Sequence, residues 1–192
     1  MKKFFAMLAL CFMLMSSAQA IDPRVETAVL WAIDIANDPT HGYSQGAEYP
    51  PYTGTRDGPD YDCSSLVYHA YQYGGFKLID NWQQKNPKYW SRYNGRQEVG
   101  DADTIWEDLS IDGGWKKFSW NEIKDNLQRG DILCLPSHHV AIYIGDGKTV
   151  EARGVNNPRG GSYSTGDQGG EIDFYDAYNR GWTEVYRFTG GN

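Results

Sequence analysis

The hydrophobic pattern of this chain changes its period once, near Arg129, and that change limits the folds open to it. Upstream of Arg129, apolar residues recur at helical spacing over 25–36 and again over 63–73. Downstream, apolar residues alternate with a period of two in short runs separated by turn residues. Helices followed by strands predict an α+β domain in which N-terminal helices pack on an antiparallel β-sheet.

The strand runs are regular enough to predict their pairing. They are 132–135, 140–144, 149–153 and 183–188. Asp146-Gly147 between the second and third runs predicts a hairpin. If its loop has three residues, 145–147, Ala141 pairs with Glu151, whereas a two-residue turn would move Glu151 to the other face of the sheet. The first three runs therefore form a β-meander, and the last run closes the sheet.

The first twenty residues have the composition of a signal peptide. Lys2 and Lys3 precede an apolar run over 4–15, and small residues over 16–20 provide a cleavage site. The apolar run is too short to span a bilayer. We therefore expect residues 1–20 to be a signal peptide and residues 21–192 to form a single catalytic domain, exported to the periplasm or secreted.

The charge balance excludes one class of partner. The chain carries 18 basic and 25 acidic residues, and removal of Lys2 and Lys3 leaves 16 basic residues and a net charge near −9. A surface this acidic is unsuited to bind nucleic acid. Outside 1–20 no apolar stretch approaches membrane length, so we expect an exported monomer with no membrane span.

Cys63 stands where the helix over 63–73 begins, directly after the loop residues Gly58-Pro59. A thiol at a helix N-terminus faces the positive end of the helix dipole, which favours the thiolate and predicts a nucleophile. Cys134 is the second cysteine of 21–192, so a disulfide between the two is the alternative in an exported protein. The apolar run 132–135 around Cys134 favours a buried, unpaired thiol instead.

His139 begins the alternating run over 140–144 and is the candidate base. A neutral imidazole held on a rigid sheet could deprotonate Cys63 if the cysteine helix packs across that sheet. Strand alternation lets only one of His138 and His139 point toward this helix. Glu151 is the candidate third group, since the three-residue loop places it on the face of His139. A hydrogen-bonded structural histidine and a solvated carboxylate are the alternative interpretations.

These residues carry a resemblance to a known family. Segments 62–67, 129–132 and 139–145 resemble the cysteine, strand and histidine blocks of the NlpC-type cell-wall peptidases, a papain-like superfamily. Segment 56–65 is similar to that of the phage-lysin peptidoglycan amidases within the group, and 185–188 matches the terminal strand. Order and spacing agree over most of 21–192, so the resemblance implies a papain-like NlpC-type domain.

The resemblance implies hydrolysis of an amide bond in peptidoglycan or a muropeptide. Cys63 would attack the carbonyl carbon, and His139 would act first as general base and then as general acid. The third polar position of the family lies twelve residues after the histidine and is usually His, Asn or Gln. Here it is Glu151, and a carboxylate also holds an imidazolium.

The resemblance also implies residues that bind substrate and stabilise the oxyanion. A family tyrosine upstream of the cysteine corresponds to Tyr43 by its sequence context and to Tyr52 by its distance, and we favour Tyr43. The backbone N–H of Cys63 is the second oxyanion donor. Asp62 and Ser64, which flank Cys63, complete the predicted oxyanion and substrate-binding set.

Hypotheses from different classes remain open at this stage. The first is a peptidoglycan hydrolase, either an endopeptidase cutting D-Glu–diaminopimelate or an N-acetylmuramoyl-L-alanine amidase. The second is a non-catalytic protein that binds wall fragments on the same fold. The third is a zinc hydrolase using Cys63, His138, His139 or Glu151. Neither an H-E-x-x-H helix nor paired C-x-x-C spacing is present, so we expect no metal and no other cofactor.

Overall fold

The computed structural model describes residues 20–45, 58–85, 100–154, 166–167 and 169–190. Its helices are Pro23–Asn37 (α1), Cys63–Tyr73 (α2), Leu78–Lys85 (α3), Ile105–Asp112 (α4) and Trp120–Ile123 (α5), the last followed by a 3-10 turn, Lys124–Asn126. Its strands are Trp115–Ser119 (β1), Ile132–Leu135 (β2), His139–Gly145 (β3), Lys148–Ala152 (β4), Ile172–Asp176 (β5) and Glu184–Phe188 (β6). The expected signal peptide, apart from Ala20, and Tyr52 lie outside the described residues.

The strands form one antiparallel sheet in the order β1-β6-β2-β3-β4-β5. Strands β2, β3 and β4 form the predicted meander, and β6 returns beside β2. The α+β prediction is therefore confirmed. Strands β1 and β5 were not predicted: β1 lies upstream of the expected change of pattern, and β5 follows the glycine-rich segment that ends at Gly170.

The two faces of the sheet pack against different parts of the chain. Helices α1 and α2 pack against each other, and α2 lies against β3 and β4. Val140 and Ile142 of β3 point into the cluster that includes the buried faces of α1 and α2. The alternate residues Ala141 and Tyr143 pack on the other side with Trp182. In the described ranges, no helix is both long and apolar enough to cross a membrane.

The hairpin between β3 and β4 differs from its prediction in one detail. Gly145 pairs with Lys148, so the turn has two residues, Asp146 and Gly147, which both have positive φ (50° and 71°) as a type I′ turn requires. The predicted pairing of Ile144 with Lys148 is therefore wrong. The register shifts between Tyr143 and Gly145, so that Ile144 is an extra residue on β3. Beyond this bulge, Ile142 pairs with Val150.

The bulge restores the register that the three-residue loop predicted. An unbroken two-residue hairpin would place Glu151 opposite Ile142, on the side of the helices. With the extra residue, the observed pairing of Ile142 with Val150 continues to Ala141 and Glu151. Glu151 thus shares the face of Ala141 and His139, as predicted, although a bulge in β3 places it there. This face packs with Trp182 and lies opposite the face that packs against α1 and α2.

Candidate active site

Cys63 is the first residue of α2, and its side chain is partly exposed. The helix begins there because Asp62 caps it: its Oδ1 accepts hydrogen bonds from the N–H of Ser65 and the Oγ of Ser64, both at 2.7 Å. The N–H of Asp62 in turn donates to Oγ of Ser65 at 2.9 Å, which completes a capping box. The cap fixes the backbone on both sides of Cys63, as the predicted helix start requires.

Asp62 and Ser64 are therefore bonded to each other within the cap. Both are buried. Their contacts support the position of Cys63, and their role in substrate binding stays a prediction.

The two cysteines are not joined by a disulfide, so the alternative pairing of Cys63 with Cys134 is wrong. Cys134 lies on β2 within the helix-side cluster, and its Sγ is 3.5 Å from the carbonyl oxygen of Ala102. Burial raises the pKa of the Cys134 thiol to about 11. A thiol that stays protonated at neutral pH is a poor nucleophile, so Cys63 is the only reactive candidate among the described cysteines.

His139, the first residue of β3, is buried, and its Nε2 lies 2.8 Å from Oε2 of Glu151. The predicted proximity of these two residues is confirmed. The imidazole also stacks on Trp182, with ring centroids 5.8 Å apart and an angle of 19° between the planes. The adjacent His138 is exposed in the turn before β3. Of the two neighbouring histidines, only His139 is therefore held in a fixed orientation by side-chain contacts.

Glu151 is almost completely buried, with 1% of its surface exposed. Its Oε1 accepts a hydrogen bond from Thr149 Oγ1 at 2.7 Å, while the Nε atoms of Arg153 and Arg180 each lie 3.1 Å from its Oε2. Burial pushes the pKa of Glu151 upward, but the bonds from His139 and Thr149 and the charge of Arg180 outweigh it, so this pKa is lowered. The carboxylate is ionised at neutral pH.

An ionised Glu151 determines the tautomer of His139. A carboxylate can only accept hydrogen bonds, so Nε2 of the imidazole carries a proton and donates it to Glu151. In the neutral ring, the lone pair is then on Nδ1. The contact with Glu151 therefore leaves Nδ1 as the atom of His139 that can take a proton from a nucleophile.

Several groups act on the charge of His139. Burial is the largest influence and lowers the pKa of the imidazole, the hydrogen bond to Glu151 opposes it, and the charges of Arg180 and Arg153 lower it further. The net pKa lies below the ordinary histidine value. The ring is therefore neutral at pH 7, the state that a general base needs.

Arg153 and Arg180 are the charged site residues that the sequence analysis missed. Arg180 contacts Glu151 through its Nε, and burial lowers the pKa of its guanidinium against the opposing charge of Glu151. The structure thus brings His139, Arg153 and Arg180 into contact with the same carboxylate, that of Glu151. Arg153 ends the predicted run 149–153 and, two residues after Glu151, shares its strand face, whereas no local sequence pattern marks Arg180.

Tyr43 lies in the segment before α2 and is buried. Its backbone N–H donates to Oε2 of Glu171 at 3.0 Å, and it forms an isolated parallel bridge with Tyr61. The preceding Gly42 donates its N–H to Oδ1 of the buried Asp60 at 2.9 Å. Two buried carboxylates therefore hold the backbone of this segment in place, and the oxyanion role of Tyr43 stays a prediction.

Within the ranges that the structure describes, no three His, Cys, Asp or Glu side chains are grouped so as to hold a metal ion. The His139–Glu151 pair is instead surrounded by Arg153 and Arg180. Guanidinium groups are donors only and cannot coordinate a cation.

Comparisons with known proteins agree with the motif analysis. A family model described as the NlpC/P60 family matches residues 46–186, which include Cys63, His139 and Glu151. No curated protein matches the chain.

The chain is also similar to several solved structures. The peptidoglycan hydrolase RipB of Mycobacterium tuberculosis is 18% identical, with a TM-score of 0.48 and coverage of 89% of this chain and 69% of RipB. The P60 domain of an antigen from M. avium subspecies paratuberculosis is 16% identical, with a TM-score of 0.45 and coverage of 86% and 98%. A hypothetical invasion protein of M. tuberculosis is 23% identical, with a TM-score of 0.43 and coverage of 90% and 68%.

Proposed function

The chain belongs to the NlpC/P60 family, and on that basis we propose that it is a peptidoglycan hydrolase with a cysteine nucleophile. The observation that carries the proposal is the bond from His139 to Glu151, which leaves Nδ1 of His139 as the proton acceptor in a chain whose Cys63 begins a capped helix. A protein that only binds wall fragments would not need an oriented neutral imidazole and a nucleophile at a helix N-terminus. Acting on cell wall, the protein works outside the cytoplasm, and we propose that it does so as an exported monomer.

The proposed reaction proceeds through a thioester. Nδ1 of His139 takes the proton of Cys63, and the thiolate attacks the amide carbon to form a tetrahedral oxyanion. The backbone N–H of Cys63 and the Tyr43 hydroxyl donate hydrogen bonds to this oxyanion. His139 then gives the proton to the leaving amine, and water, deprotonated by the same ring, hydrolyses the thioester. Glu151 stabilises the imidazolium in both halves of the cycle.

We propose the stem peptide as the substrate and the D-Glu–diaminopimelate bond as the bond that is cut. The test is digestion of purified muropeptides followed by mass spectrometry of the products, with the Cys63→Ala variant as the matched control. Cleavage at the proposed bond releases a fragment whose new amino terminus is diaminopimelate. Products with a new L-Ala amino terminus would instead identify an amidase. Muropeptides that stay intact would favour the alternative of a protein that binds wall fragments without cutting them.

Both substitutions of Glu151 are expected to reduce turnover, and Glu151→Ala is expected to reduce it more than Glu151→Gln. Glutamine keeps an acceptor of the same shape for His139 but loses the charge that balances Arg153 and Arg180, whereas alanine loses both. We therefore expect kcat to fall about tenfold in Glu151→Gln and about a hundredfold in Glu151→Ala. Muropeptide turnover measures kcat of the two variants, and a melting curve of each variant reports whether it folds. Wild-type turnover in a folded Glu151→Ala protein would show that His139 is oriented by another group.

Chelation is expected to leave turnover unchanged, because the proposed thiol–imidazole chemistry uses only protons and a sulfur nucleophile. Iodoacetamide is expected to stop turnover, since it alkylates the Cys63 thiolate. Muropeptide digestion with each reagent measures both effects. Loss of activity in chelator, with recovery on adding zinc alone, would favour the zinc hydrolase.

A further inference from the structure

We propose that Trp182 is a positioning residue of this site, which holds the ring plane of His139 and favours the imidazolium that forms when His139 accepts a proton. The inference rests on the proposed function, because that function assigns His139 as the general base. It goes beyond that function by adding a residue outside the cysteine and histidine segments, in the connection between β5 and β6.

Trp182 lies in a fixed position on the sheet face opposite α1 and α2. Only 3% of its surface is exposed, and its Nε1 donates a hydrogen bond to the carbonyl oxygen of Ala177 at 2.8 Å. The next residue, Thr183, donates its backbone N–H to the carbonyl oxygen of Cys134 on β2 at 3.1 Å. The indole is therefore anchored at its polar edge and through its backbone, independently of its contact with His139.

The indole limits a motion of the imidazole that Glu151 leaves open. Nε2 of His139 lies 2.8 Å from Oε2 of Glu151, and this single hydrogen bond does not determine the tilt of the ring. The planes of the imidazole and the indole of Trp182 are 19° apart, with centroids 5.8 Å apart, which is a stacked arrangement. The stack restricts the tilt, so Nδ1, the proposed proton acceptor, keeps one direction.

The indole face also favours one charge state of His139. An aromatic face attracts a cation that lies within about 6 Å of the ring centroid, and tryptophan is the strongest aromatic side chain in this interaction. The imidazole of His139 lies within this distance of the Trp182 centroid. The stack therefore stabilises the imidazolium relative to the neutral ring, which raises the pKa of His139.

The charged groups that face His139 act in both directions. Among the described residues, Glu151 raises the pKa of the imidazole, whereas Arg180 and Arg153 lower it, and burial lowers it most. Trp182 adds a second raising contribution without adding a charge. The resting ring stays neutral because burial has the larger effect, and the indole reduces the cost of the charged ring during the reaction.

The test is the pKa of His139, measured by NMR from the carbon-bound protons of its imidazole in Trp182→Phe and Trp182→Leu. Both proteins also carry Cys63→Ala, so that the thiol does not titrate together with the imidazole. Phenylalanine and leucine are both apolar and smaller than tryptophan, so both admit water, and the difference between them reports the aromatic face. We expect the pKa of His139 to be higher in Trp182→Phe by roughly half a pH unit.

Trp120 is the matched control for this comparison. It packs on the same side of the sheet as Trp182, but its ring contact in the described chain is with Tyr178, at 5.9 Å between centroids. We expect Trp120→Phe and Trp120→Leu to show the same pKa of His139. The signal of His139 is identified as the one that is missing from the spectrum of His139→Gln.

The same two Trp182 substitutions with Cys63 restored test the role in catalysis. We expect kcat for muropeptides to be about tenfold lower in Trp182→Leu than in Trp182→Phe, with the same KM, because the buried Trp182 acts through His139. A base with a higher pKa is protonated at higher pH. The acidic decline of kcat/KM should therefore begin at higher pH in Trp182→Phe than in Trp182→Leu, a difference that a merely structural role would not produce.

Equal pKa values of His139 in the two folded Trp182 variants, or a higher value in Trp182→Leu, would overturn the inference and leave the proposed function standing, because wild-type turnover does not depend on this comparison. If the wild-type protein cuts no muropeptide, the proposed function fails, and the titration still decides whether Trp182 favours the imidazolium. If Trp182→Leu does not fold, Trp182→Met, with a flexible side chain that fills irregular space, replaces it in the comparison with Trp182→Phe. The same two outcomes then support or reject the inference.

Discussion

Replacement of Cys63 by serine or alanine is expected to reduce muropeptide hydrolysis by at least about 10⁴-fold while the protein stays folded. A serine hydroxyl is not ionised near neutral pH, and alanine has no nucleophile at all. The side chain is small and partly exposed at the first position of α2, so neither change disrupts the Asp62 cap. Turnover of purified muropeptides measures the loss, and a thermal melt checks the fold.

Cys134→Ala is the matched control for this prediction. Cys134 is buried on β2 and its pKa is raised to about 11, so it has no role in the proposed chemistry. We expect the Cys134 variant to keep most of its activity, with a small loss of stability from the missing sulfur in the core. Equal loss of turnover in a folded Cys134 variant would contradict the assignment of Cys63 as the sole nucleophile.

His139→Ala is expected to be nearly as severe as the Cys63 substitutions, because base and nucleophile act as one unit and their losses are not additive. The substitution removes the proton acceptor and leaves Glu151 with the two arginines. Muropeptide turnover of the single variants and of the Cys63→Ala/His139→Ala double variant measures the effect. The double variant should be no less active than the worse single variant.

His138→Ala is the control for the neighbouring ring. His138 is exposed in the turn before β3, so we expect a change in turnover of less than about twofold. A severe loss of turnover in His138→Ala together with a mild loss in His139→Ala would show that His138, and not His139, is the general base.

The charge state of His139 also predicts the acidic side of the pH profile. A general base loses activity when it is protonated, and the pKa of His139 is lowered by burial and by the two arginines against the opposing bond to Glu151. Lowering a pKa moves protonation to more acidic pH. We therefore expect kcat/KM to be retained as the pH falls to the ordinary histidine value of about 6.5, and to decline only below it.

The parts of the structure that sequence predicted are those with local causes. The start of α2 at Cys63 follows from Asp62 and Ser65, which lie three residues apart and bond to each other's backbone. The apolar runs of β2 and β3 are also local signals, because both faces of these strands are buried and nearly every residue in them is apolar. The family motifs cover the same segments, so pattern and resemblance gave the same fold.

The residues that escaped prediction depend on contacts between distant segments. Strand β1 is mostly exposed, and it is recognised only by its pairing with β6. Arg180 meets Glu151 from the segment before β6, far along the chain from β4. An arginine on a loop has the same sequence signature whether it contacts a buried carboxylate or water, so only the folded chain identifies this cluster.

The extra residue in the β3–β4 hairpin has a consequence for recognising similar sites in other chains. Because Ile144 is an unpaired addition to β3, a chain that lacks it could close the same two-residue turn and still pair its counterparts of Ala141 and Glu151. The acid would then follow the histidine by eleven residues instead of twelve. In a sequence alignment, a gap of one residue at this hairpin is therefore compatible with the same site. A motif search that requires a fixed spacing between the histidine and the acid would overlook such relatives.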